Sequence, residues 1–219
     1  MSIHLDFTPV FKQFPFLLRG LLITVEVSAL AAALGIVLGL CGGLAKLSHF
    51  RPLRAAAIAY IEFIRGTPVL VQLFLIYFGL PAFGIKFDSF WAAVVGLGIN
   101  SGAYVSEIVR GSIQAIDRGQ WEASYSIGMT PFKALRWIIL PQAFVIALPP
   151  LGNELATLIK TSSLASAIAL VELTQTGQQI RSVTFASFET FIVVALLYLA
   201  LTYSTSLALG WVERRMRVV

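Results

Sequence analysis

Apolar residues run along this chain in long blocks separated by short polar stretches, the pattern of an all-α membrane protein. Blocks extend over about residues 16–44, 55–80, 90–109, 152–171 and 188–211, which predicts about five transmembrane helices in a single domain filling residues 1–219. Each meets or approaches the ~20 residues needed to cross a hydrocarbon core. The first block is too long for the apolar core of a secretory signal, about 7–15 residues, and Glu26 interrupts it. It therefore reads as a retained span, despite the small residues from Ala29 to Ala33. From Trp137 to Val171 the apolar run is too long for one span and too short for two with a loop. Pro149-Pro150 divides it, because proline removes a backbone donor and clashes with the preceding turn. The expectation is a partial or interfacial helix before the prolines and one crossing after them.

Composition agrees. Hydrophobic residues make up 58% and charged residues 12%, against about 45–50% and ~25% in soluble domains. The net charge of +5 does not point to nucleic acid, since the basic residues form neither a basic face nor an aromatic-basic platform. They follow the loops instead. Lys46, Arg51 and Arg54 lie in the first loop, Arg110, Arg118, Lys133 and Arg136 flank the third, and Arg214, Arg215 and Arg217 form the tail. The second loop carries only Lys86 against Asp88, and the fourth only Glu172, Arg181 and Glu189. Placing the basic loops inside puts the N-terminus outside and the C-terminus in the cytoplasm, and an odd number of crossings satisfies that.

The chemistry of an enzyme is missing. Cys41 is the lone cysteine, so neither an internal disulfide nor a Cys/His metal site is expected, and His4 and His49 are far apart. No G-x-x-x-x-G-K-[ST] phosphate loop occurs. No cofactor is expected, and any ATP would have to be bound by a partner subunit.

The third loop is the most informative segment. After Asp117-Arg118-Gly119, residues 120–127 suit a short helix on the basic side, with Gly128 as its stop and Pro131 opening the next element, so a surface helix is expected over about 119–130. Its Glu122-Ala123-Ser124, then Gly128, then Ile138, Leu140 and Pro141, resembles the EAA motif of ABC importer permeases, with Ser124 in place of the second alanine. Further stretches resemble the polar amino acid permeases of that superfamily, the histidine, glutamine, glutamate and arginine type: Glu62 to Gln72, Asn100 to Gly111, Pro149 to Glu154, and Lys160 to Leu164. The resemblance covers nearly all of the chain after about residue 17. It implies a type I ABC importer (MetI-like) transmembrane domain in the bacterial inner membrane. It also implies ABC ATPase subunits, a second permease copy or paralogue, and an extracytoplasmic amino-acid-binding protein as partners. Trp121, Glu122, Ala123, Tyr125 and Gly128 would then form the coupling helix that docks on the ATPase.

Charges at membrane depth are costly, ~2.5–3.5 kcal/mol or more, and mark interiors or water-filled paths. Glu62 with Arg65, and Glu107 with Arg110, are spaced i, i+3 and read as structural pairs at the inner ends of two spans. Glu154 and Lys160 follow the double proline, where transporters place substrate against broken helices. Lys160 suits an amino acid's carboxylate and Glu154 its ammonium, with Asn153, Thr157, Ser162 and Ser163 nearby; the bland alternative is a buried structural pair. Asn100, Gln72 and Tyr77 are further candidates to line that cavity, although buried amides also bond helix to helix. Thr161 stands where relatives commonly carry Asp or Asn, which weakens the case for a cationic substrate. The rival function is a secondary transporter or channel acting alone. It would need inverted repeats or a chain of ion-coupling carboxylates, and neither is visible.

Overall fold

The computed structural model describes residues 5–216, so His4 and Arg217 lie outside the described residues. One turn, α1 (Thr8–Lys12), leads into α2 (Phe14–Leu47), which is followed by α3 (Arg51–Arg65) and α4 (Val69–Phe74). A wide turn and a tight turn extend α4 to Phe83; then come α5 (Ser89–Gln114), the short α6 (Arg118–Ser126) and α7 (Pro131–Ala134). A wide turn over Leu135–Ile139 joins α7 to α8 (Leu140–Thr161). A 3₁₀ run over Ser162–Ile168, α9 (Leu173–Thr184) and α10 (Ser187–Met216) complete the chain.

Four rods are long and apolar enough to cross a membrane: α2, α5, Pro131–Ile168 and α10. Arg51–Arg65 and Val69–Phe83 reach that length and apolarity only together, as a pair bent by 105° at their junction, so the rods number four, or five if the pair is one span. The block expected over 55–80 as one span is thus a broken pair of helices. Its break falls at Gly66-Thr67-Pro68, because the residue before a proline is pushed out of the helical region. Conversely, Pro149-Pro150 does not divide the next rod: both lie inside α8, and helix runs from Pro131 onwards without a separate interfacial piece. Proline's fixed φ is itself helical. What is lost is the two hydrogen bonds to the carbonyls four residues back, a loss tolerated where protein or cavity water can satisfy them. At ~1.5 Å per residue this rod is about 55 Å long, so its Pro131 end stands beyond a hydrocarbon core of ~30 Å.

The tightest packing joins α2 to α5. Gly35, Gly39 and Gly43 recur every four residues on one face of α2, and Gly98, Gly102 and Ser106 do the same on α5. A Cβ on Gly39 would overlap Cγ1 of Val105 and come within 3.1 Å of its backbone carbon; one on Gly43 would lie 2.8 Å from the Ser106 carbonyl oxygen. The two backbones are therefore as close as bare glycine permits, the arrangement by which helices associate in lipid without a hydrophobic driving force between them. α3 joins the seam through Tyr60, whose hydroxyl donates to the Ile99 carbonyl at 2.7 Å.

At the other end of α2, α9 is held by a buried acid. Glu172 caps α9, accepting from the backbone N–H of Thr174 and of Gln175 at 2.8 Å each, while the Tyr198 hydroxyl of α10 donates to it at 2.8 Å. The Leu173 N–H donates to Thr24 Oγ1 of α2 at 3.2 Å. Burial pushes the Glu172 carboxyl above its ordinary value, and the donated hydrogen bonds pull the other way.

Overpacking a fitted core costs about 1–3 kcal/mol or more. Gly39→Leu is expected to lower the melting temperature of the detergent-purified protein clearly. Gly210→Ala, which meets nothing within 4 Å, should leave it unchanged; equal melting curves for both would refute the seam.

Candidate functional site

An open cavity of about 400 Å³ lies among α3, α5 and α8, lined by Arg65, Tyr104, Glu107, Ile108, Pro150, Asn153, Glu154 and Thr157. The double proline thus stands beside the polar residues that follow it. The Ser101 hydroxyl donates to Glu154 Oε1 at 2.8 Å, which aims that carboxylate from α8 towards α5. Arg65 closes the α3 side, its guanidinium 5.4 Å from the centre of the Tyr104 ring. Asn153, Thr157 and Lys160 are exposed and fall at i, i+4 and i+7, so they form one stripe along α8.

Glu154 and Lys160 are not brought together as a pair. Six positions along a helix separates their directions by about 120°; Glu154 bonds to Ser101, while Lys160 is exposed and has no acidic partner among the described residues. Ser162 and Ser163 turn their hydroxyls back to the carbonyls of Ile159 and Lys160, at 2.7 Å each. Tyr77 lies at the edge of the apolar core, its ring edge-on to Phe78 at 4.8 Å. Gln72 and Asn100 are buried and bonded to each other at 3.0 Å. The Gln72 amide also donates to the carbonyls of Ile64 (2.8 Å) and Thr67 (3.1 Å), so it fastens the two sides of the broken span.

Arg65 is the cavity residue that the i, i+3 reading missed. It does not pair with Glu62; Glu62 lies 3.7 Å from Lys46 instead, and Arg65 lies 4.0 Å from Glu107. Its position just before Gly66-Thr67-Pro68, a span break, was the available signal. Glu107 is the hub of this end of the bundle. Lys46 of α2 donates to its Oε1 at 2.6 Å, and Arg110 donates to Oε2 at 2.7 Å through Nη2.

Beyond this hub, α6 presents the second surface. Asp117 caps it by accepting from the Gly119 N–H at 2.7 Å. Gly128 ends it at φ +80, with its own N–H bonded to the Tyr125 carbonyl and that of Met129 bonded to the Ser124 carbonyl, a glycine-dependent helix stop. Trp121 is half-buried against the cluster of Ile113, Ile116 and Ile139 and anchors α6 to the bundle. Ser124 is buried, which accounts for a small residue there. Glu122, Ala123, Tyr125 and Gly128 are exposed. Gln142 of α8 donates to Gln120 Oε1 at 3.2 Å, a direct tie between α6 and the rod that bears Glu154.

Comparison with known proteins gives a consistent set. A family model described as a binding-protein-dependent transport system inner membrane component matches residues 15–218. The arginine transport system permease protein ArtQ of Bacillus subtilis is 40% identical, over 98% of each chain. The glutamine transport system permease protein GlnP of Escherichia coli is also 40% identical, over 98% of this chain and 99% of its own. A crystal structure of an amino acid ABC transporter with histidines superposes with a TM-score of 0.91 at 44% identity, covering 98% of this chain and all of that one. The MetNI methionine ABC transporter, at 23% identity and a TM-score of 0.79, shares the fold.

Removing one partner of a partly buried ion pair costs more than removing both, because an uncompensated charge is left behind. Glu107→Gln is therefore expected to destabilise by about 1–3 kcal/mol, and adding Lys46→Gln should recover part of that loss in thermal melts. A double variant no better than the single one would remove Glu107 as the hub.

Proposed function

The chain belongs to the family of binding-protein-dependent transport system inner membrane components and is the membrane-spanning permease subunit of an ATP-driven amino-acid importer; from that premise we propose that the cavity among α3, α5 and α8 is its path for polar amino acids. One observation carries this reading: a cation from α3, Arg65, and a carboxylate from α8, Glu154, line the same open space with Asn153 and Thr157 between crossings. An amino acid carries one charge of each sign and suits such a lining. Lys160 continues the exposed stripe towards the end of α8 and offers a second cation. Gln72 and Asn100 act behind the lining by holding the broken span in shape, and Tyr77, Ser162 and Ser163 support the same walls.

The exposed side of α6, from Glu122 to Gly128, is the coupling surface for an ABC ATPase subunit. Its mechanical logic follows from chain order. α5 runs directly into α6, and α6 runs through α7 into α8, so the docking helix is spliced between two walls of the cavity. Trp121 and the Gln120–Gln142 bond make that splice stiff. ATP binding can bias the cavity only if it favours one arrangement of these walls over another, and a displacement of α6 is delivered to both at once.

A second permease copy or paralogue faces the α8 stripe across the path, and an extracytoplasmic amino-acid-binding protein delivers substrate at the end of the bundle away from α6. The basic loops support an N-terminus outside and a C-terminus in the cytoplasm, in the inner membrane.

In proteoliposomes containing the permease, its ATPase and its binding protein, Glu154→Gln should lower amino-acid uptake about tenfold or more, the loss of ~1.4 kcal/mol or more of interaction, with basal ATP hydrolysis retained. Uptake at the wild-type rate would reject the path. Separately, Gly128→Leu adds a side chain into open space and costs only the ~1–2 kcal/mol of a left-handed residue. It and Glu122→Lys should leave a folded protein whose ATP hydrolysis no longer drives uptake; normal uptake in both would reject the coupling surface.

A further inference from the structure

The end of the bundle away from α6 carries a charge that nothing in the cavity or the coupling surface uses. Arg19, on the second turn of α2, is exposed and makes no ion pair or hydrogen bond among the described residues. It stands at a groove of about 330 Å³ between α2 and α9. Gly20 at its closed end is covered by Thr176 and Leu173 of α9, and the open walls are Phe16, Ile23, Val171, Ile180 and Val183. The amides of Gln13 and Gln179 flank Arg19 at the rim, and no acidic residue lines the groove.

Depth decides what can meet this arginine. Arg19 and Lys46 are at opposite ends of one continuous helix, about 40 Å apart along its axis. A bilayer measures ~40–45 Å across its headgroup regions. With Lys46 bound into the ion cluster near α6, Arg19 falls at the headgroup level of the opposite leaflet. Two exposed apolar side chains, Phe16 and Val183, line the groove with it.

We propose that this groove binds one anionic phospholipid, its phosphate on the Arg19 guanidinium and an acyl chain laid along the apolar slot between Phe16 and Ile23 of α2 and Ile180 and Val183 of α9. An apolar slot with a single unpaired cation at its rim complements such a lipid at both ends, since arginine receives phosphate through two parallel N–H donors. The lipid would hold α9, already clamped by Glu172, against the span at headgroup height. The inference needs only that the chain spans a membrane, and it stands or falls independently of the amino-acid path.

The test uses the permease purified with its ATPase in mild detergent, titrated with phosphatidylglycerol, phosphatidylcholine or inorganic phosphate and read by native mass spectrometry. Wild type should retain phosphatidylglycerol in preference to phosphatidylcholine. Arg19→Gln should weaken phosphatidylglycerol retention about fivefold, the share of one basic residue at a charged lipid surface. Arg19→Lys should keep most of it, and Val183→Trp, which fills the mouth without touching the charge, should weaken both lipids. Equal retention by Arg19→Gln and wild type would overturn the proposal. So would displacement of the lipid by inorganic phosphate alone, or a loss of permease pairing in Arg19→Gln, which would mean that a second copy covers the groove.

Discussion

Everything in this subunit is arranged around a seam in which two transmembrane backbones touch. Lipid tails are as apolar as leucine, so helices in a bilayer gain little by hiding apolar side chains from them, and close contact must supply the attraction. Glycines at every fourth position of α2 lie against Ser101, Val105 and Ser106 of α5, and Gly98 and Gly102 of α5 in turn receive Leu34 and Leu38, which allows that contact. The consequence is visible in burial: 72% of the apolar window of α5 is inside the protein, against 11% for α10. α5 is the mast and α10 an outer stay. The seam also sets the rotation of α5, and Ser101 shows what that decides. Its Cβ faces Gly35 of α2, while its hydroxyl reaches Glu154 of α8.

With α5 in place, the strong polar groups fall into two sets. One set mends discontinuities. Gln72 ties the carbonyls at the 105° break, Glu172 caps α9 and catches Tyr198, and Glu107 gathers Lys46 and Arg110 where three helices end. Their hydrogen-bonding capacity is taken up within the subunit, as burial requires. The other set, Asn153, Thr157, Lys160 and Arg65, stays open to the cavity or its rim. A path for a polar solute needs groups left available in this way, and a bilayer tolerates them only where protein or water, not lipid, faces them.

Chain order ties α6 to the cavity walls, since α5 leads into it and α8 follows it, with Trp121 anchoring it to the bundle and Gly128 ending it. The opposite end is built differently, with α9 packed over Gly20 and Thr24 of α2 and fastened through Glu172.

Much of this was legible in one dimension. Long apolar blocks declared the membrane class, because hydrocarbon demands runs of a length that soluble folds seldom use. The short helix ending at Gly128 was readable as well, since a capping aspartate, a terminal glycine and a following proline act on their neighbours alone. Local rules failed where distant residues offered better partners. Glu62 and Arg65 have the spacing of a helical pair, yet Lys46 and Glu107 from other helices lie within reach and take them instead. Gln72 and Asn100 carry the chemistry of a solute site, and only their burial against the broken span reveals them as its fastening. Pro149-Pro150 has the signature of a break, but a proline's torsions are compatible with helix and packing decides whether the rod continues. The sequence by itself determined the class, the helical blocks and the short helix ending at Gly128, because those depend on composition and near neighbours. Which polar groups face a cavity and which hold the walls was decided only by the tertiary structure, because that depends on how closely α2 and α5 approach and so on which faces remain for α3 and α8.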